Sequence, residues 1–177
     1  MISDISNTVF IGVGTNEGNK ISNLKNALKE IDELDECKIE KISSVYETLP
    51  FGNQNQENFL NAVLRVKTSL SVIGLFTKLK IIEKKLGRIK REKWGPREID
   101  LDILLYNDLI FSDEIITLPH KGIIYRDFVL VPLVEIEPEL VHPVFKRKIS
   151  EFVPELETQN IIKKFSESQL LKETEFE

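Results

Sequence analysis

The chain has 177 residues, 41% of them hydrophobic and 30% charged, with a formal net charge of −5. This suits one globular domain with a sizeable core, and the weakly acidic balance argues against a bulk-electrostatic nucleic-acid or membrane binder. The single cysteine, Cys37, excludes an internal disulfide framework, and with neither a basic-then-apolar leader nor an apolar run of the roughly 20 residues that span a bilayer, a cytoplasmic protein is expected.

Thr8 to Gly14, "TVFIGVG", is a β-branched run ending in glycine and predicts a strand. The turn "TNEGN" leads into a helix in which Ile21, Leu24, Leu28, Ile31 and Leu34 recur at three- and four-residue spacing. Lys38 to Tyr46 alternates and predicts a second strand, followed by the turn-rich loop "ETLPFGNQNQEN". In "FLNAVLRVKT", Ala62, Leu64 and Val66 share one side, and Asn61, Val63, Arg65 and Lys67 the other, as in a half-buried third strand. Ser71 fits the N-cap of a second helix with the stripe Val72, Leu75, Phe76, Leu79, Ile82 and Leu86, and Gly87 stands where a C′ glycine belongs. A fourth strand is expected from about Glu98 to Tyr106, and a further helix near Arg126 to Ile136. The order β-α-β-β-α-β implies an α+β, ferredoxin-like sandwich: an antiparallel sheet with helices on one face, plus C-terminal additions. The domain is expected to end near residue 156, with 157–177 a polar tail or linker holding at most a short amphipathic helix.

The fourth strand carries an anomaly. In "KWGPREIDLDILLY", Asp100 and Asp102 sit two apart, so both project to one face with Cα atoms about 6.6 Å apart. Leu104 continues that face as an apolar residue. Desolvating one unpaired carboxylate costs several kcal/mol, and two neighbours repel, so a counter-charge is required. One solution is a salt bridge to Arg97 or Lys93. The other is a pair of Mg²⁺ ions, whose remaining ligands are typically phosphate oxygens. Lys84 to Arg97 carries seven basic residues and one acid, a net +6 that leaves −11 for the rest of the chain. Beside the aspartates this run fits a phosphate clamp. The glycine run "GVGTNEGNK" matches neither GxxxxGK[ST] nor GxGxxG and reads as a place where backbone passes close to something. Neither HExxH nor CxxC occurs, which argues against zinc.

Together with "GTNEGN", "ETLPFGNQNQENFLNAV" and "LPHKGIIYRDFVLVPLVEIEPELVHP", the Trp-Gly-Pro-Arg…Asp-x-Asp block resembles the hydroxymethyldihydropterin pyrophosphokinases of folate biosynthesis, from about Thr8 to Leu156. The resemblance implies Mg²⁺-dependent transfer of pyrophosphate from ATP to the pterin hydroxymethyl group, releasing AMP. By position, Asp100 and Asp102 would hold two Mg²⁺, with Arg88, Lys90 and Arg97 completing the catalytic set. ATP would meet Glu83, Arg88, Lys90, Arg97, Ile103, Thr117, His120, Lys121 and Arg126. Trp94 and Phe128 would sandwich the pterin, with Thr48, Pro50, Phe51, Phe59 and Asn61 along its edge. Asn61 fits independently, because an amide at the start of a packed strand both donates and accepts. Trp94, amid cations, also favours a planar partner on its own, whereas Phe128 and Glu83 are ordinary residues without the family.

Departures from the family pattern are Leu49 where a second proline can occur, Lys90 where arginine is common, Lys121 after the histidine, and a basic loop about one residue shorter. An ammonium at 90 supplies charge but no bidentate fork. The loops 46–58 and 87–97 are expected to close over the ligands. A monomer is expected, and the polar C-terminus leaves open a module of a fused folate-pathway enzyme. The rivals are an RNA-recognition module, which needs exposed aromatics that "FLNAVLRVKT" lacks, and a metal-dependent nucleotidyl transferase or cyclase, which would leave Trp94, Asn61 and Phe128 with no planar second substrate.

Overall fold

The computed structural model describes residues 7–165. Strands β1 (Asn7–Thr15), β2 (Cys37–Ile42), β3 (Val45–Thr48), β4 (Phe59–Thr68), β5 (Asp100–Tyr106) and β8 (Ile161–Phe165) build one antiparallel sheet. Its order is β5-β1-β4-β3-β8, with β2 also on β4. A two-stranded hairpin, β6 (Phe111–Ser112) and β7 (Thr117–Leu118), follows β5. Helices α1 (Lys20–Asp32), α2 (Val72–Lys85) and α3 (Asp127–Ile136) and a 3-10 helix (Ile149–Glu155) complete an α+β fold.

The predicted cap at Ser71 forms, its side chain accepting from the Gly74 N–H, and at the start of α1 the Asn19 side chain accepts from the Ser22 N–H. Gly87 has φ of 90°, the left-handed conformation that ends α2. The alternation in β1, β4 and β5 sets two cores. Val9, Ile11, Val13, Leu64, Leu101 and Ile103 pack against Leu24, Ala27 and Ile31 of α1 and Leu75, Leu79 and Ile82 of α2. Phe10, Val63, Leu104 and Leu105 pack against Leu130 and Leu133 of α3 and Phe152 of the 3-10 helix.

Three expectations are adjusted. The helices do not all lie on one face, because α3 covers the opposite side, the face of Asp100 and Asp102. The segment 38–46 is two strands. Ser43 interrupts it, with its N–H bonding to the Val63 carbonyl at 2.9 Å and its Oγ accepting from the Val63 N–H at 2.8 Å. Within the segment expected to be tail, Ile161–Phe165 forms β8 against β3. The part of the tail from 166 to 177 lies outside the described residues.

Candidate active site

The site grows from the register of three strands. Asp100 lies opposite Gly14, and Gly14 opposite Asn61, while Gly12 lies opposite Asp102. Directly paired residues share a face, so two glycines separate the aspartates of β5 from the amide of β4. The missing side chains leave a gutter, which explains Gly12 and Gly14 of the glycine run; Gly18, with φ of 70°, serves the turn into α1. A Cβ on Gly14 would stand 2.7 Å from Asn61 Oδ1. Asn61 Nδ2 in turn donates to Thr48 Oγ1 at 2.8 Å. Gly14→Ala should therefore displace the Asn61 amide and break its tie to Thr48. We expect the KM for a ligand on that edge to rise about tenfold while nucleotide affinity holds, measured by steady-state kinetics and nucleotide titration.

The cleft over this gutter is narrow, with about 80 Å³ of free space, and opens to solvent. It gathers Thr48, Phe51, Phe59, Asn61, Trp94 and Phe128 with Arg97, Asp100, Asp102, His120 and Arg126. Pro50 does not line it: the residue is buried, and its carbonyl accepts from Gln54 Nε2. Phe51 touches both rings expected to form the sandwich, at 5.4 Å from Trp94 and 6.3 Å from Phe128 between centroids. The Arg126 guanidinium lies 4.8 Å from the Phe51 ring and 5.6 Å from the Trp94 ring.

The two aspartates have different company. Asp100 Oδ1 accepts from Arg88 Nη1 at 2.7 Å, and its Oδ2 pairs with Arg97. Burial alone would raise its pKa, but Arg97 and Arg88 outweigh that and hold the carboxyl below its usual value. The Asp102 carboxylate has no hydrogen-bond or ion-pair partner among the described residues. Burial, and then the charge of Asp100, push it up to about 7. The salt-bridge solution thus accounts for Asp100 alone and leaves the half-buried Asp102 carboxyl beside it without a counter-charge.

The donor set fits magnesium: two carboxylates on one face, one of them without a counter-charge. Among the described residues no group of three or more His, Cys, Asp or Glu could hold a metal. A hard cation there would complete its shell with other oxygens, as Mg²⁺ does on one or two carboxylates plus phosphates.

Two further hollows open from the cleft. One shares Asp102 and His120 with it and adds Phe76, Ile103, Ile115, Thr117 and Lys121. The other shares Arg97 and Gly95 and holds Lys80, Lys84, Arg88, Lys90, Arg91 and Lys93, so Lys90 stands in a cationic bay at the rim. Glu83 sits at the back of that bay as a brace. Its Oε1 accepts from the Leu101 N–H at 2.8 Å and pairs with Arg88 at 2.8 Å and Lys80 at 3.0 Å. His120 Nδ1 accepts from the Gly122 N–H at 2.9 Å, so the neutral ring carries its hydrogen on Nε2. Burial, and then nearby Arg126, pull its pKa down to about 4.

Sequence reasoning missed the residues that tie these loops together. The buried Asn16 amide donates to Gln56 Oε1 at 3.0 Å and to the Glu57 carbonyl at 2.9 Å, and accepts from the Arg97 N–H at 2.8 Å. Gln56 Nε2 reaches the Trp94 carbonyl at 2.7 Å, bridging the loops 46–58 and 87–97. Arg91 clamps Glu98 with both terminal nitrogens. The available signal was a polar side chain placed directly after a buried strand, at Asn16.

A family model for 7,8-dihydro-6-hydroxymethylpterin-pyrophosphokinase matches residues 10–138. A 2-amino-4-hydroxy-6-hydroxymethyldihydropteridine pyrophosphokinase of Aquifex aeolicus is 47% identical over 148 residues, covering 84% of this chain and 91% of its own. The Haemophilus influenzae protein of the same name is 37% identical over 93% of this chain and 97% of its own. The folic acid synthesis protein fol1 of Schizosaccharomyces pombe is 38% identical over 86% of this chain, which spans only 21% of that protein. Among solved structures, a Plasmodium falciparum HPPK-DHPS with pterin and p-hydroxybenzoate superposes with a TM-score of 0.69 at 18% identity, over 84% of this chain and 43% of that one. That likeness speaks for the fold alone. The family model and the near-complete bacterial matches agree: this chain belongs to the 7,8-dihydro-6-hydroxymethylpterin-pyrophosphokinase family.

Proposed function

We propose that this chain transfers the pyrophosphoryl group of ATP to the hydroxymethyl oxygen of 6-hydroxymethyl-7,8-dihydropterin, with Mg²⁺ and with AMP as the second product, in folate synthesis. The observation that carries this reading is the cleft, where an aromatic slot with an amide edge opens onto two carboxylates ringed by cations. Phe51, Trp94 and Phe128 offer ring faces to a flat heterocycle, and Asn61 with Thr48 offers donors and acceptors to its edge. For that ring to lie against both Trp94 and Phe128, Phe51, which contacts each of them, must turn aside. The hollow of Phe76, Ile103 and Ile115 suits the nucleotide base, and the cationic bay suits its phosphates.

Asp100 and Asp102 would hold the magnesium, two ions by this reading. Bound there, it would neutralise charge on the phosphates and draw the attacking and leaving oxygens into line. The new bond joins the hydroxymethyl oxygen to the β-phosphorus, and the bond between that phosphorus and the oxygen of the α-phosphate breaks. The α-phosphate leaves with AMP, and the hydroxyl proton passes to solvent. What the chain supplies is charge and position. Arg88 and Arg97, paired with Asp100, stand where they would turn to phosphate oxygens. Neutral His120 would offer Nε2–H to the triphosphate, and Glu83 keeps Arg88 and Lys80 beside it.

The strand order, with β2 and β3 sharing the far edge of β4, supports a ferredoxin-like reading of the sheet. Among the described residues no helix is long and apolar enough to cross a membrane. The test is incubation with the reduced pterin alcohol and Mg-ATP, followed by separation of nucleotides. AMP equal to the pterin diphosphate formed is expected. ADP as the product, or untouched ATP, would refute the reading.

A further inference from the structure

Helix α3 starts without help from its N-cap residue, since Arg126 makes no side-chain cap bond. Asp127 caps from inside: its Oδ1 accepts from the Phe128 N–H at 2.8 Å. Capping needs only that one oxygen. The second, Oδ2, accepts from the Asn160 N–H at 2.7 Å and the Ile161 N–H at 2.8 Å, more than thirty residues away in sequence. The Asn160 carbonyl then accepts from the Leu49 N–H at 2.8 Å. Residue 160 is thus gripped by α3 through its N–H and grips the loop after β3 through its C=O.

The neighbours of this link are the walls of the cleft. Arg126 and Phe128, which flank Asp127, line the cleft from α3 and the turn before it, and Thr48 and Leu49 line it from the end of β3. Asp127 itself is 5% exposed and does not line the cleft. A buried carboxylate with three backbone N–H partners is a stiff, charge-assisted joint. Leu49 matters as well, because a proline at that position would have no N–H to give Asn160.

We propose that Asp127 is a positioning residue for the pterin subsite: through Asn160 it fixes the gap between the Phe128 wall and the Thr48–Leu49 wall. This deepens, and rests on, the function proposed above. Of the groups assigned to the nucleotide only Arg126 adjoins this link, the rest lying in the hollow of Phe76, Ile103 and Ile115 and in the cationic bay, so the effect falls chiefly on one substrate. A purely structural cap would affect both substrates alike.

The test uses full-length chains: wild type, Asp127→Ala, Asp127→Asn, Leu49→Pro and the Ala/Pro double variant. Wild-type AMP formation is measured first, and its absence would strike the functional reading before any variant is compared. Given activity, Asp127→Ala should raise pterin KM about tenfold, with kcat and affinity for a non-hydrolysed Mg-ATP analogue within about twofold. Asp127→Asn, keeping one carbonyl oxygen, should recover part of the loss. The Leu49 amide should exchange faster in Asp127→Ala, while amides of β1 keep their protection. In the Leu49→Pro background, Asp127→Ala should add nothing further. If Leu49→Pro fails to fold, amide exchange and the KM split decide alone. Unchanged pterin KM, additive effects, or an equal fall in affinity for both substrates would overturn the proposal.

Discussion

Asp102→Asn is expected to lower kcat by about 10³ while leaving the fold intact. Asparagine keeps the size of the side chain and an oxygen, so packing survives; what goes is the negative charge that would hold magnesium. Without a cation that charge is a liability, since it is half-buried, has no ion-pair partner among the described residues and lies beside Asp100. The variant should therefore melt no lower than wild type. Asp100→Asn makes the contrast, because Asp100 anchors Arg88 and Arg97. Its loss should reduce activity and also release Arg97, with Arg88 kept only by Glu83. Initial rates of AMP formation across a magnesium series, with thermal unfolding in parallel, separate the two. An Asp102→Asn enzyme with ordinary rates and ordinary magnesium dependence would remove the metal from this site.

The parts of the site that were legible in the sequence are those governed by strand period. Asp100 and Asp102 had to share a face because they are two apart, and Asn61 had to oppose Ala62 and Leu64. What period could not say is which helix covers that face. The α3 sequence, "DFVLVPLVEI", is apolar nearly all round and offers no polar stripe to orient it. The break at Ser43 was hidden because the alternation of 38–46 runs through it. Strand β8 was hidden because "IIKKF" is short and its middle residues are exposed. Loop geometry was the least accessible. That Phe51 packs on both Trp94 and Phe128, and that Asn16 and Gln56 stitch three loops together, depends on contacts distant in sequence. The aspartate pair also carried an ambiguity that no pattern resolves, since one carboxylate is paired to arginines and the other is not.

Trp94→Ala is expected to raise pterin KM by roughly 10–100-fold, the loss corresponding to about 1–3 kcal/mol for removing an aromatic platform beneath a flat heterocycle. Trp94 is the chain's only tryptophan, and its backbone adopts φ of 66°, a conformation a non-glycine residue holds only when its surroundings enforce it. Those surroundings are identifiable. Gln56 holds its carbonyl, and Gly52 passes so near that a Cβ there would lie 3.0 Å from Trp94 Cγ. Lys93, at 5.4 Å, and Arg126 sit over the indole, so the ring already serves as a cation platform. A pterin stacking there would displace Arg126 or Phe51 and alter the indole's surroundings, so the protein's intrinsic tryptophan emission should change as pterin saturates. Trp94→Phe should keep most of the affinity, since a smaller face still stacks. Nucleotide affinity should stay close to wild type in both variants, because the indole lines the slot and not the hollow of Ile103 and Thr117. If Trp94→Ala weakens nucleotide and pterin equally, the tryptophan is holding the basic loop in place instead of stacking on substrate, and the slot has to be assigned to Phe51 and Phe128.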